Sequence, residues 1–117
     1  MKELLSEEKS LLLKDLCARL PYGTFVQTYR CNTESFELLM PRLLEAFIKD
    51  EGLEIKPYLR PISSMTEEEE KEYKNCYQSD DTTTATLLVD FYNKKMFDYR
   101  GLIEKGLALD CTNLNIY

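Results

Sequence analysis

The carboxylates of one short segment are the side chains of this chain with the clearest chemical potential. The segment from Ser63 to Asp81 contains seven acidic residues and two lysines, so it carries −5 of the chain's net charge of −6. Clustered carboxylates can supply oxygen ligands to a divalent cation. Neighbours along a helix point in different directions, however, and no Asp-rich loop with a central glycine is present. A solvated first helical turn is the favoured interpretation, and we predict no metal and no cofactor.

Nucleophilic chemistry has little support in the sequence. The chain has no histidine, and its four cysteines, Cys17, Cys31, Cys76 and Cys111, form no CxxC pair. A reactive thiol needs a neighbouring base or cation, and zinc sites need paired ligand spacing. The glycines are isolated, so no phosphate-binding loop is present. We therefore predict no catalytic residue, a non-enzymatic protein, and four reduced and mostly buried cysteines.

The acidic segment instead suggests a docking surface for a protein with a basic surface. Local negative charge repels nucleic-acid backbones and attracts basic partners, and tyrosines are common in interfaces. The residues we expect to bind this partner are Tyr58, Glu68, Glu69, Glu72, Tyr73 and Tyr77.

A role with nucleic acids is the alternative, by one of two routes. A small basic and aromatic cluster could contact single-stranded RNA or DNA, or the acidic helix could mimic phosphates on a basic protein. The cluster consists of Arg42, Lys56, Tyr58 and Arg60. Because an acidic segment follows it directly, ordinary strand-end residues are the favoured interpretation.

Three further groups have a functional and a structural interpretation. Ser63, Ser64 and Thr66 precede acidic residues and could be phosphorylated, but helix capping explains them more simply. Arg100 could hold a substrate carboxylate. The favoured interpretation is instead a helix cap at Asp98 and an ion pair of Arg100 within the domain.

The elements in the N-terminal half include one ambiguous segment. Residues 6–20 predict an amphipathic helix capped by Ser6 and ended by Pro21, with a type I turn at 20–23. Residues 24–30 predict a strand. Pro41 interrupts residues 35–48, which leaves open two strands, 36–40 and 42–48, or a helix restarting at Pro41. In the two-strand version, 42–48 forms a hairpin with 53–56 through the loop at 49–52.

The C-terminal half is predicted to be extended and then helical. The prolines at 57 and 61 keep residues 57–61 extended. A capping box of Thr66 and Glu69 starts a surface helix over 67–74. A third helix, 83–96, is capped by Asp81 or Thr82, and a fourth covers 99–105 after Asp98. The predicted core residues are Leu13, Leu16, Leu20, Phe25, Leu88, Phe91, Ile103 and Leu107.

Length and composition indicate one small α+β domain. The chain has 117 residues, of which 44% are apolar and 31% charged, as in ordinary globular proteins. We expect one domain over 1–117, with an N-terminal helix, a small antiparallel sheet of three or four strands, and three C-terminal helices. An SH3-like sheet is one option. The sequence shows no secretory leader pattern and no membrane-spanning stretch, so we expect a cytoplasmic protein.

Three sequence blocks resemble a family of small proteins from gut anaerobes and from their phages and mobile elements. The blocks are KDLCARLPYG at 14–23, KPYLRPISSMTEEEEKEY at 56–73 and FDYRGLIEKGLAL at 97–109. The resemblance implies a helix, three strands and C-terminal helices, with a variable and usually strand-like middle. It therefore favours β structure in the ambiguous segment, and it implies no activity, cofactor or catalytic residue.

Overall fold

A computed structural model describes residues 6–49 and 52–117 of the chain. The helices and strands of this part are α1 (Ser6–Arg19), β1 (Phe25–Arg30), β2 (Thr33–Leu38), α2 (Pro41–Lys49), β3 (Glu54–Leu59), α3 (Glu67–Asn75), α4 (Asp81–Lys94) and β4 (Leu109–Asp110). Short 3₁₀ turns occupy Leu20–Tyr22 and Ile62–Ser64. The predicted α+β class is confirmed. The capping side chain predicted at Ser6 lies outside the described part.

The sheet has the strand order β2-β1-β3-β4. β1 pairs antiparallel with β2 and β3, as predicted, whereas the short β4 lies parallel to β3. The sheet is therefore mixed rather than purely antiparallel. Cys31 and Asn32 join β1 to β2 with φ angles of 48° and 65°, the left-handed values of a two-residue type I′ turn.

The ambiguous segment contains one strand and one helix. β2 covers Thr33–Leu38, and α2 starts at Pro41, so the restarted helix was the correct alternative for residues 42–48. Proline suits the first helical turn, where its missing N–H costs nothing. Leu44 and Phe47 then bury one side of α2. The predicted hairpin through 49–52 is wrong for the same reason, and residues 50 and 51 lie outside the described part.

β3 continues through Pro57, although this residue lacks an N–H group for a sheet hydrogen bond. Backbone groups of alternate residues point to the same side of a strand. The Leu59 carbonyl accepts a hydrogen bond from the Cys111 N–H at 2.9 Å, so Pro57 also points towards β4. Because β4 pairs only with Tyr58 and Leu59, the proline interrupts no ladder bond.

The C-terminal part contains two of the three predicted helices. α3 begins with the predicted capping box between Thr66 and Glu69. α4 is capped by Asp80, which accepts a hydrogen bond from the Thr83 N–H, rather than by Asp81 or Thr82. The predicted helix over 99–105 is only a hydrogen-bonded turn. Gly101 and Gly106 adopt φ angles of 72° and 74°, which a regular helix does not allow.

The buried side chains form two clusters. The first lies between the sheet, α1 and α2, and includes Leu16 and Leu107 as predicted. The second lies between α3 and α4 and contains Cys76, Phe91 and Phe97. Of the other predicted core residues, four are only partly buried against these clusters: Leu13, Leu20, Leu88 and Ile103. Phe25 was predicted wrongly, because it lies on the opposite face of the sheet.

A buried ion pair joins α1 to the C-terminal segment. Asp15 and Arg19 are both fully buried, and Arg19 Nε donates to Asp15 Oδ2 at 2.9 Å. Arg19 also donates to the Phe97 carbonyl at 2.7 Å, and Arg100 Nε lies 3.4 Å from Asp15 Oδ1. One carboxylate therefore faces two guanidinium groups, and both guanidinium groups stack on the ring of Tyr99.

None of the described helices is long and apolar enough to cross a membrane.

Candidate functional site

The open face of the sheet is the most distinctive surface of the described residues. Side chains alternate between the two faces of a strand, and one face of β1 and β3 packs on α1 and α2. The strand registers place the remaining side chains together on the other face. We call this the outer face; it consists of Phe25, Gln27, Tyr29, Glu34, Phe36, Leu38, Glu54, Lys56 and Tyr58.

Aromatic rings cover one end of the outer face. Phe25 and Phe36 stack with their centroids 5.2 Å apart, and Tyr58 lies 5.4 Å from Phe36. The Tyr58 hydroxyl donates to Gln27 Oε1 at 2.7 Å, which fixes the ring in place. Phe36 remains 51% exposed and Leu38 43% exposed. A continuous aromatic surface on a rigid sheet is unusual for side chains that face only water.

Tyr117 extends this aromatic surface and closes the end of the β1–β3 ladder. Its ring lies 5.6 Å from that of Phe25. Its hydroxyl accepts a hydrogen bond from the Phe25 N–H at 2.9 Å and donates to the Tyr58 carbonyl at 2.9 Å. The ring is half exposed, but the hydroxyl is enclosed, and this burial raises the pKa of Tyr117.

The charges on the outer face are mostly negative. Lys56 Nζ lies 3.5 Å from Glu54 and 5.8 Å above the ring of Tyr29. Glu34 lies opposite Tyr29 in the strand register. Burial, followed by the charge of Glu34, raises the pKa of Tyr29. With two carboxylates and one lysine, the face does not attract a phosphate backbone.

The structure divides the six predicted partner-binding residues between two places. Tyr58 belongs to the outer face, whereas the other five belong to α3 and its C-terminal end. Glu68 is exposed. Tyr73 is half buried against the second cluster, and its hydroxyl lies 2.8 Å from that of the exposed Tyr77. That hydrogen bond is the main cause of the raised pKa of Tyr77.

Two of the predicted acidic residues already have partners in the fold. Arg60 donates two hydrogen bonds to Glu69, both of 2.7 Å, and the two side chains are only 19% and 12% exposed. The hydrogen bond from Arg60 is the largest reason that the pKa of Glu69 falls from 4.5 to about 2. Glu72 lies 3.4 Å from Lys95. The acidic surface of α3 is therefore smaller than its sequence suggests.

The predicted basic cluster does not form one surface. Arg60 turns to Glu69, Lys56 pairs with Glu54, and Arg42 lies on α2. Asp98 acts as the predicted cap, accepting hydrogen bonds from the N–H groups of Leu102 and Ile103, and an ion pair within the domain follows it at Arg100.

The four cysteines are the candidate nucleophiles and metal ligands of the chain. All four thiols are free; Cys76 and Cys111 are buried, but Cys17 and Cys31 are exposed, so only half of them match the predicted burial. Burial raises the pKa of Cys76 and Cys111, which makes both thiols poor nucleophiles at neutral pH. Among the described residues, no group of three His, Cys, Asp or Glu side chains is placed to hold a metal ion.

The polar cleft has a volume of about 500 Å³ and lies between the start of α3, the end of α4 and the C-terminal segment. Three cations line it, Arg60, Lys94 and Lys95. Two of these are engaged by Glu69 and Glu72. The shifted pKa values of Arg60 and Glu69 in this cleft therefore come first from the ion pair that holds α3 to the end of β3, whereas burial raises those of Cys111 and Tyr117.

Comparison with known proteins finds no match. No family model, no curated protein and no solved structure matches the chain significantly.

The sequence reasoning missed Phe25, Phe36 and Tyr117 as surface residues. Phe25, a residue of the predicted strand 24–30, was assigned to the core. A signal was present: β1 alternates side chains between its faces, so the pattern places the rings of Phe25 and Tyr29 together on the face opposite Val26.

Proposed function

We propose that this protein is a non-enzymatic interaction module that binds a partner protein over the outer face. The observation that carries this proposal is the aromatic surface of Phe25, Phe36, Tyr58 and Tyr117, in which Phe36 and Tyr117 are about half exposed and the other two partly buried. Aromatic side chains give large contact areas at a small entropic cost, and they are enriched where protein interfaces are strongest. Phe36 and Leu38 together offer an apolar area whose burial contributes about 25 cal/mol per Å².

The charges favour a partner with a basic surface. The chain has a net charge of −6, and the outer face carries two carboxylates, Glu34 and Glu54, beside one lysine, Lys56. Exposed carboxylates on α3, such as Glu68, contribute to the same field. Complementary charge speeds association and selects among partners more than it adds affinity. The resemblance to proteins of phages and mobile elements supports an accessory role in such an element.

A crosslinking experiment in native lysate tests the proposal. The wild type is compared with Phe36→Ser, which removes the centre of the aromatic surface, and with Val89→Ser as a matched control. Val89 is 42% exposed on α4, so its replacement removes a similar apolar side chain elsewhere. We expect a defined crosslinked protein with the wild type and the control, and its loss with Phe36→Ser. The same crosslinked products in all three samples would contradict the proposal.

Nucleic-acid binding is the second candidate, because a sheet with exposed rings can stack single-stranded bases. A salt-titrated assay with single- and double-stranded oligonucleotides separates the two. Direct binding predicts an affinity that falls steeply with salt, whereas the negative face predicts no binding at low salt. Saturable oligonucleotide binding that Phe36→Ser abolishes would favour this second function.

Charge reversal tests the contribution of α3. Glu68→Lys changes an exposed charge without touching the Arg60–Glu69 pair. If α3 steers a basic partner, this variant slows association and weakens its dependence on salt, while the dissociation rate changes little. An unchanged association rate would limit the interface to the sheet.

A further inference from the structure

The outer edge of β2 is an unpaired strand edge. Among the described residues, β1 is the only strand that pairs with β2. The pairing of β2 with β1 is continuous from Thr33 to Leu38, without a bulge, and β2 contains no proline. Natural proteins often protect an edge with bulges or prolines, and β2 has neither; its charged residues, Glu34 and Glu37, disfavour pairing with acidic strands only. This edge is therefore able to accept another strand.

The turn geometry shows which backbone groups point outwards. In a two-residue hairpin the residues that flank the turn, here Arg30 and Thr33, form a hydrogen-bonded pair. Thr33, Ser35 and Glu37 therefore direct their N–H and C=O groups towards β1. The backbone groups of Glu34, Phe36 and Leu38 point to the free edge.

A cleft lies beside this edge, between the end of β2 and α2. It has a volume of about 460 Å³ and is lined by Glu37, Leu38, Met40, Arg42, Leu43 and Ala46. Most of these side chains are apolar, and the two charged ones have opposite signs. A strand added to β2 would lie about 4.8 Å beyond it, and its inward side chains would point towards this cleft.

We propose that the partner contributes an extended segment that adds to β2 as a fifth strand of the sheet. This inference rests on the proposed function and specifies how the partner is held. Main-chain hydrogen bonds to Glu34, Phe36 and Leu38 supply affinity, and the cleft selects an apolar side chain. On the outer face, the side chains of the added strand lie next to Glu34 and Phe36.

Charge complementarity identifies the segment as basic and apolar in alternation. β2 carries Glu34 and Glu37 and no basic residue. Opposite charges across a strand pair are favourable, whereas like charges directly opposite each other are not. A second copy of this chain would bring its own Glu34 and Glu37 to the same edge and a charge of −6. A segment whose Lys or Arg side chains lie on the outer face, opposite Glu34 and beside the ring of Phe36, and whose apolar side chains point towards the cleft fits better.

Two libraries of peptides, each peptide about ten residues long, provide the probe. One alternates apolar residues with Lys or Arg, and the other alternates the same apolar residues with Asp or Glu. We expect peptides of the basic library to bind at least about tenfold more tightly than those of the acidic library. If neither library binds the wild type, the inference is wrong.

Two substitutions at one position separate backbone from side-chain effects. Glu34→Pro removes an N–H that points to the free edge, which an edge strand tolerates. Glu34→Thr removes only the charge and keeps the N–H. We expect Glu34→Pro to weaken binding of the best basic peptide by at least about tenfold more than Glu34→Thr does. Circular dichroism verifies that both variants are folded. Equal loss in the two variants would reject strand addition.

Amide hydrogen exchange distinguishes strand addition from binding to the outer face alone, because only strand addition slows exchange of the amides at the free edge. On saturation with the best basic peptide, exchange at Phe36 and Leu38 should slow by at least about tenfold, while Ser35 and Glu37, already bonded to β1, change little. A peptide that binds without this protection refutes strand addition but leaves the proposed function standing. Dimerisation of the free protein, abolished by Glu34→Pro, would identify a second copy as the occupant and refute the basic segment.

Discussion

The ion pair between Arg60 and Glu69 offers the sharpest test of the local energetics. Glu69 has two roles, because it also accepts a hydrogen bond from the Thr66 N–H in the capping box. The substitution Glu69→Gln separates these roles, since glutamine can still complete a capping box but carries no charge. Any loss of stability then reports mainly on the charge interaction with Arg60.

The pKa of Glu69 sets the size of the effect. A fall from 4.5 to about 2 corresponds to about 3 kcal/mol, because a tenfold change in proton affinity is worth about 1.4 kcal/mol. The pair is partly open to solvent, which reduces the expected loss to about 2 kcal/mol. Because the folded state lowers this pKa, the contribution is complete above pH 4.5 and is lost as the pH falls towards 2.

Urea unfolding of the wild type and of Glu69→Gln, repeated between about pH 7 and pH 3, measures this contribution. We expect the difference in unfolding free energy to be about 2 kcal/mol at neutral pH and to shrink steadily below about pH 4.5. Glu68→Gln is the matched control, because Glu68 is an exposed residue of the same helical turn and should cost less than about 0.5 kcal/mol. A difference that does not depend on pH, or an equal loss in the control, would refute the reasoning.

Three further predictions concern stability measured by urea unfolding at neutral pH. Tyr117→Phe should lose about 1–2 kcal/mol, because the Phe25 N–H and the Tyr58 carbonyl lose their common partner; an unchanged midpoint would mean that water replaces the hydroxyl. Cys31→Asn should gain about 0.5 kcal/mol, since asparagine tolerates the left-handed turn conformation better; a loss would show that the Cys31 side chain matters. Asp15→Asn should lose about 3–5 kcal/mol because two guanidinium groups lose their buried anion, and a loss below about 1 kcal/mol would contradict this.

The parts of the fold with a local cause could be predicted from sequence. Pro21 ends α1, Thr66 and Glu69 start α3, and the alternation after residue 53 gives β3. The segment 35–48 could not be resolved, because Pro41 suits both a strand boundary and a first helical turn. Its outcome depends on whether Leu44 and Phe47 find the core beneath the sheet, which is a tertiary contact. The predicted helix over 99–105 was wrong for a local reason. The cap at Asp98 was correct, but Gly101 and Gly106 adopt positive φ angles, and these stop the helix after one turn.

The candidate site depended on information that a sequence does not carry. Charge is visible residue by residue, so the acidic segment stood out, but the partners of Glu69 and Glu72 come from β3 and the end of α4. The aromatic surface, in contrast, could not be recognised from the sequence. Phe25, Phe36 and Tyr117 are far apart in the chain and look like ordinary core residues. The strand register brings Phe25 and Phe36 together on the side that the helices leave open, and Tyr117 reaches Phe25 from the C-terminal segment.

The negative charge of the chain limits which strands can pair with the open edge of β2. An unprotected edge next to exposed aromatic rings favours pairing with any extended chain, including another copy of itself. Proteins limit this with charge, and here Glu34 and Glu37 stand on the edge of a chain whose net charge is −6. Negative charge at these two positions penalises a second acidic copy and rewards a basic segment. In the strand addition that we propose, the carboxylates that disfavour a second acidic copy therefore also select a basic segment.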